Sequence, residues 1–187
     1  MLRKVALLGS ERASIAIKAK MEKFKDESAM EVSSLSSWQL AIKAKKAGFS
    51  DENAIEISWL DSEAGDQVIR AKTEGFGDEM AIGFSHYGKG EIDKLIKAKK
   101  AGFDDENAIT VSSLDSEKRD RAIRAKIAGF GDRMALKLSH LAPEKIEKAI
   151  RAKKLGFGDD KAVKVADFPK IRFELSVYRK RIDHKKS

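Results

Sequence analysis

Apolar residues recur along this chain at helical rather than alternating spacing. From Asp115 to Phe130, Ala122, Ile123, Ile127 and Phe130 fall on one side of a helical wheel, Ala125 sits at its margin, and Arg124 and Ala128 lie opposite or flanking. This pattern predicts an amphipathic helix of about three to four turns. The segment Asp105–Leu114 mixes β-branched with polar residues, so a strand is the alternative there. On a helical wheel Ala108, Ile109, Val111 and Ser112 share one arc, and Glu106, Asn107, Thr110 and Ser113 share the other. An alternating period would put Val111 and Leu114 on opposite faces, so the helical phase separates the classes better and predicts a helix of about two turns. Between such segments Gly129 is placed to take the left-handed conformation that ends a helix. Gly131-Asp132, like the Ser50-Asp51 pair, offers an N-cap for the next one.

The same long–short arrangement repeats. A (Lys/Arg)-Ala-Lys triplet begins at Lys18, Lys43, Arg70, Lys97, Arg124 and Arg151, and Gly-Phe follows at a fixed offset in the last five copies. The first copy carries Lys23-Phe24 there. An aspartate comes next in every copy: Asp26, Asp51, Asp78, Asp105, Asp132 and Asp159. Residues 42–86 and 96–140 match at 31 of 45 positions, an offset of two units, so the array reads as a duplicated pair. A helix pair this short cannot bury its apolar face alone, and stacking on neighbours supplies the missing core. The fold predicted is all-α, an α-solenoid of about six 27-residue helix-turn-helix repeats, with an α/β solenoid carrying a short strand per repeat as the alternative. The repeats fall at residues 10–35, 36–60, 61–88, 89–114, 115–142 and 143–169 of a single domain spanning 1–187. Residues 170–187 form a C-terminal cap helix, with Ile171, Phe173, Leu175 and Tyr178 covering the exposed end, and a basic tail. The signatures of tetratricopeptide, ankyrin, leucine-rich and pentatricopeptide repeats are missing, and the period is shorter than that of HEAT or armadillo units.

Composition narrows the chemistry. The 187 residues contain no cysteine, which excludes disulfides, thiolate metal sites and a cysteine nucleophile. The apolar run after the charged N-terminal start stops after Leu8, too short for a signal peptide, and no stretch approaches a membrane span. A cytoplasmic, membrane-free protein is expected. The net charge of +8 suggests an anionic partner, but its distribution weakens that inference. Residues 36–169 hold 24 Lys and Arg against 23 Asp and Glu, whereas residues 170–187 hold 7 against 2.

Three sets of positions stand out as candidates. A lysine column (Lys20, Lys45, Lys72, Lys99, Lys126 and Lys153) falls near the centre of the apolar face. It reads as structural: such a lysine snorkels, pairs with the recurrent aspartate, or answers the helix C-terminus. A second basic column, Lys18, Lys43, Arg70, Lys97, Arg124 and Arg151, points the opposite way, and its members from Lys43 on, together with Arg179, Lys180 and Arg181, could contact phosphates. The third set is where the copies disagree. On the polar arc of the short helix, the Thr110 position carries Glu31, Glu56, Gly83, Thr110, Lys137 and Lys164, and the Ser113 position carries Ser34, Trp59, His86, Ser113, His140 and Asp167. A fixed scaffold beneath variable side chains is how repeat arrays present a binding surface, which nominates Glu56, Trp59, His86, Thr110, Lys137, His140 and Lys164 as partner contacts.

No paired histidines at metal spacing, nucleophile elbow or phosphate-binding glycine loop occurs in the sequence, so no enzyme, metal or cofactor is expected. The sequence therefore points to a scaffold that binds a protein partner along the variable arc. The competing reading is a nucleic-acid-binding array that uses its basic columns and tail.

Overall fold

The structure is a computed structural model that describes residues 8–186, with side chains described over residues 8–180. Among these residues all regular structure is helical. The long helices are α1 (Ser10–Met21), α3 (Trp38–Lys46), α5 (Ser62–Thr73), α7 (Lys89–Lys100), α9 (Ser116–Ile127) and α11 (Pro143–Lys154). Each is followed by a short helix: α2 (Asp26–Val32), α4 (Asp51–Ile57), α6 (Asp78–Gly83), α8 (Asp105–Ser113), α10 (Asp132–Ser139) and α12 (Asp159–Ala166). A 3-10 turn, Phe84–His86, prolongs α6, and α13 (Lys170–Lys186) closes the series. No strand forms among the described residues, so the α/β alternative is set aside. The β-branched side chains of the short segments bury as a helical arc instead, with Ala108 and Val111 inside and Glu106 and Thr110 outside.

The chain divides into two compact units, residues 1–93 and 94–187. In the first, α1 packs on α2, α3 on α4 and α5 on α6; the pairs then stack, α2 against α4 and α3 against α5. In the second, α9 packs on α10 and α11 on α12, with α8 against α10, α9 against α11 and α13 against α12. Each unit is thus a short stack of helical hairpins, the packing expected of a solenoid.

Every long helix ends the same way. Gly48, Gly75, Gly102, Gly129 and Gly156 have φ between 81° and 96°, and the N–H of the following phenylalanine reaches back five residues to an alanine carbonyl, for example Phe130 to Ala125 at 3.2 Å. This is a Schellman motif, and it tucks an apolar side chain beneath the helix it terminates. The six phenylalanines so placed (Phe24, Phe49, Phe76, Phe103, Phe130 and Phe157) are all buried. In the first copy Lys23 takes the left-handed conformation in glycine's place, with φ 68°.

Two alanine columns line the interior: Ala19, Ala44, Ala71, Ala98, Ala125 and Ala152 on the long helices, and Ala29, Ala54, Ala81, Ala108, Ala135 and Ala162 on the short ones. None is more than 1% exposed. Residues this small let neighbouring backbones approach closely, and they lose no rotamer freedom when buried. Beside them Ser33, Ser58 and Ser139 are buried, each donating its hydroxyl to the carbonyl three residues back at 2.6–2.7 Å. A buried hydroxyl is thereby satisfied within its own helix.

Three sequence expectations need correcting. Ile127 is 70% exposed, while Ala125 is fully buried. The reversal at Gly129 brings Phe130 inside and leaves the last helical residue in solvent, where other copies carry Lys46, Thr73, Lys100 and Lys154. Asp132 is the first residue of α10 rather than its cap, which is Gly131; likewise Ser50 caps α4 by accepting from the Asn53 N–H, and Asp51 follows it. In α13, Phe173 and Val177 are buried but Ile171, Leu175 and Tyr178 are exposed. The helix sits in the register of a seventh long helix, 27 residues after α11, so Phe173 and Val177 take the places of the buried Ile146 and Ile150.

Two substitutions test the terminator. Gly129→Ala forces a Cβ into the left-handed region, and its nearest neighbour, Lys153 Cε at 3.7 Å, is an ordinary contact. The cost is therefore conformational, about 1–2 kcal/mol, and Phe130→Ala should cost about 3–5 kcal/mol by opening a cavity. Urea denaturation of both variants checks the order; equal stability of Gly129→Ala and wild type would disprove the strained turn.

Candidate functional site

The outer arc of the short helices follows from the inner one. With an alanine and a large apolar residue fixed inside, a helical turn carries the positions two and five residues beyond each alanine to the opposite side. All twelve residues of those two columns are exposed. In the first unit they include Glu31, Ser34, Glu56, Trp59, Gly83 and His86, and Trp59 is 73% exposed. In the second they are Thr110, Ser113, Lys137, His140, Lys164 and Asp167. The first unit's arc is therefore acidic with one large aromatic, and the second's carries two lysines. A third variable column, at the Asn107 position, is half-buried except at the exposed Lys161 and is partly structural: Asn53 donates to Asp78 at 3.0 Å and Asn107 reaches Asp132 at 3.5 Å.

The outward basic column is not a row of free cations. In the first unit Lys43 pairs with Asp66 at 3.1 Å and Arg70 with Asp93 at 2.6 Å; in the second Lys97 pairs with Asp120 at 2.7 Å, Arg124 with Glu147, and Arg151 with both oxygens of Glu174 at 2.6 and 2.9 Å. Each partner lies 23 residues downstream, on the next long helix; the first four stand four residues before that helix's own cation, whereas α13 has Tyr178 there. The sequence reading missed this acidic column, although the recurring acidic residue one turn before each cation marked it. Lys18 has Ala41 at that distance and lies over the Trp38 ring instead, 5.0 Å from its centroid. Arg179 is exposed, Lys180 is half-buried, and the side chain of Arg181 lies outside the described residues.

The lysine column at the turns is the most ordered electrostatic feature. Lys20, Lys45, Lys72, Lys99, Lys126 and Lys153 each pair with the aspartate six residues on, for instance Lys45 with Asp51 at 2.6 Å. Lys20 and Lys45 also donate to the carbonyls of Phe24 and Phe49, at 2.9 and 3.4 Å. The aspartate's other oxygen reaches back to the preceding repeat. It accepts from the Lys25 N–H at Asp51 (2.7 Å), from the Asp104 N–H at Asp132 (3.1 Å) and from the Gly131 N–H at Asp159 (3.0 Å). The ammonium lies over the preceding phenylalanine ring too: Lys45 on Phe24, Lys72 on Phe49, Lys126 on Phe103 and Lys153 on Phe130, at 5.4–5.6 Å. One carboxylate thus fastens two successive turns.

Burial pushes the carboxyls of Asp51, Asp78, Asp132 and Asp159 up, but the lysine hydrogen bond and the donors of the preceding turn outweigh it and hold each below its ordinary value. Among the described residues no group of three or more His, Cys, Asp and Glu could hold a metal, and no helix is long and apolar enough to cross a membrane. No family model, curated protein or solved structure matches this chain.

The clamp has a signed pH dependence. A carboxyl depressed in the folded state contributes stability that is complete above its unfolded value, 3.8, and is lost as pH falls through the lower folded value. Unfolding free energy should therefore decline below pH 3.8, and Asp132→Asn should lose about 1–3 kcal/mol at neutral pH with a shallower acid decline. Lys126→Met, which keeps the apolar stem, should also destabilise without altering partner binding. Chemical denaturation across pH checks all three, and an unchanged acid profile for Asp132→Asn would remove the clamp from the account.

Proposed function

We propose that this protein is a non-enzymatic helical-repeat scaffold that binds a protein partner along the outer arc of its short helices. The observation carrying the reading is the contrast between the two arcs: alanine at zero exposure on one side in every copy, and twelve exposed, changing side chains on the other. An invariant interior fixes the backbone, so the outer residues can change identity without cost to packing. Trp59 is the strongest single anchor. Exposed aromatic surface of that size is enriched at interface hot spots, and Glu56 stands three residues from it on the same arc. In the second unit Thr110, Lys137, His140 and Lys164 offer a polar and basic surface suited to an acidic stretch of a partner. The absence of cysteine fits a cytoplasmic setting, and the reading calls for no cofactor.

A nucleic-acid partner ranks below this. Phosphate binding needs cations free to replace counterions, and five of the eight cations nominated for it, Lys43, Arg70, Lys97, Arg124 and Arg151, already hold carboxylates.

The test is affinity purification with the full chain and two surface variants. Trp59→Ala and Lys137→Glu should each keep the wild-type melting temperature, because both side chains are exposed. Each should weaken the partner captured by wild type, Trp59→Ala by about 2 kcal/mol or roughly thirtyfold. Undiminished capture of every partner by both variants would rule out this surface.

A further inference from the structure

After α12 the register position of the clamp aspartate is held by a lysine, Lys186. Asp159 closes the turn before it, taking the Lys153 ammonium on one oxygen and the Gly131 N–H on the other. Twenty-seven residues later the corresponding donors are Lys180 and the Gly158 N–H, which has no acceptor among the described residues. Where earlier long helices break at glycine and return an aspartate, α13 runs on as helix through residue 186, with Asp183 at the glycine position and Lys186 at the aspartate position.

The rest of the clamp is intact. Lys180 Nζ lies 5.9 Å from the Phe157 ring, as Lys153 Nζ lies 5.4 Å from Phe130. Lys161 Nζ approaches the same Phe157 ring at 5.7 Å. Two ammonium groups therefore flank one buried aromatic ring, and neither pairs with a carboxylate among the described residues. The space beside them is a cleft of about 400 Å³ between α12 and α13, with Phe157, Val165 and Phe168 as its apolar lining and Lys164 and Arg179 at its edge. A second cleft, about 500 Å³, lies beside the starts of α10 and α12, where Asp132, Asp159 and Asp160 stand with Arg133 and Lys137. The cleft beside Phe157 has cations and no carboxylate among its lining residues.

We propose that the terminal cleft binds an acidic peptide segment of a partner protein. An Asp or Glu carboxylate of that segment occupies the place a following repeat's aspartate would fill, and its neighbouring apolar side chain lies against Phe157, Val165 and Phe168. The geometry selects this ligand twice. Like charges held around one ring repel, and a carboxylate between them replaces that repulsion with charge-assisted hydrogen bonds. The apolar lining gains from a side chain and gains nothing from a mineral anion. This site shares Lys164, and Lys161 of the third variable column, with the variable positions and stands whether or not the arc around Trp59 binds anything.

Titration of the full-length, isotope-labelled protein with acetyl-Phe-Gly-Asp amide tests it, followed through the backbone amide of Gly158. A saturable shift is expected, with acetyl-Phe-Gly-Asn amide at least about tenfold weaker, because a charged hydrogen bond is lost. Lys180→Gln and Lys161→Gln should each weaken the Asp peptide by a similar factor, while Trp59→Ala leaves it unchanged, which separates this site from the variable arc. Inorganic phosphate is the control for a bare anion site. Equal binding of the Asp and Asn peptides, phosphate binding as tight as the peptide, or no shift at Gly158 would each overturn the proposal. The wild-type peptide comparison decides the matter even if a variant fails to fold.

Discussion

The carboxylate that fastens two turns at once is the constraint from which the rest follows. One oxygen answers the lysine of its own repeat, and the other answers a backbone N–H at the start of the preceding short helix, a group that no intrahelical bond can satisfy. Both bonds form only if the aspartate is the first residue of its short helix, six residues after the lysine, with the glycine reversal between them. That fixes the order Lys, Gly, Phe, Asp in every complete copy. The pair is half-buried, with Lys126 and Asp132 keeping 19% and 17% of their side-chain exposure, so desolvation takes back much of the Coulomb attraction. Its larger effect is on register: a repeat slipped by one residue would leave a carboxylate, an ammonium and a backbone N–H unmatched together.

With register fixed at the turns, the interior can be built from small and similar residues. Alanine supplies little apolar area, but two columns of it bring helices close enough for the phenylalanines and the larger residues at Val32, Ile57, Phe84, Val111, Leu138 and Val165 to fill what remains. The outer arc carries none of these duties. That division of labour separates a column that is always alanine from one that holds Glu56, Lys137 and Lys164.

Most of this architecture was legible because repetition averages out local ambiguity. A single segment such as Asp105–Leu114 reads as strand or helix, whereas six copies with alanine at one phase read as helix. The lysine column and its aspartate were visible as partners from their fixed six-residue offset. Ile127 misled because one repeat was read by itself; lined up with Lys46, Thr73, Lys100 and Lys154 its position is plainly polar. The acidic column escaped because its pairing runs between repeats, at 27 minus 4, a distance that no wheel of one helix displays. Asp132 was taken as a cap because Asp caps helices often; the glycine before it fills that place, and the carboxylate is freed for the lysine.

The charge distribution is a consequence of the same ladders. From Lys43 onward each outward cation finds its acid on the following long helix, and each turn lysine finds its acid at the start of the following short one. A stretch made of complete repeats must therefore come close to neutral, as residues 36–169 do with 24 cations and 23 anions. A final long helix inherits the pattern unevenly. α13 keeps Glu174, which completes the ladder from Arg151, and keeps Lys180, the turn lysine, but carries Lys186 at the register position of the aspartate. The positive excess of residues 170–187 arises where the cations of the pattern recur and its turn aspartate does not. A clamp lysine over a phenylalanine ring, without the aspartate of its own register, is what that departure leaves.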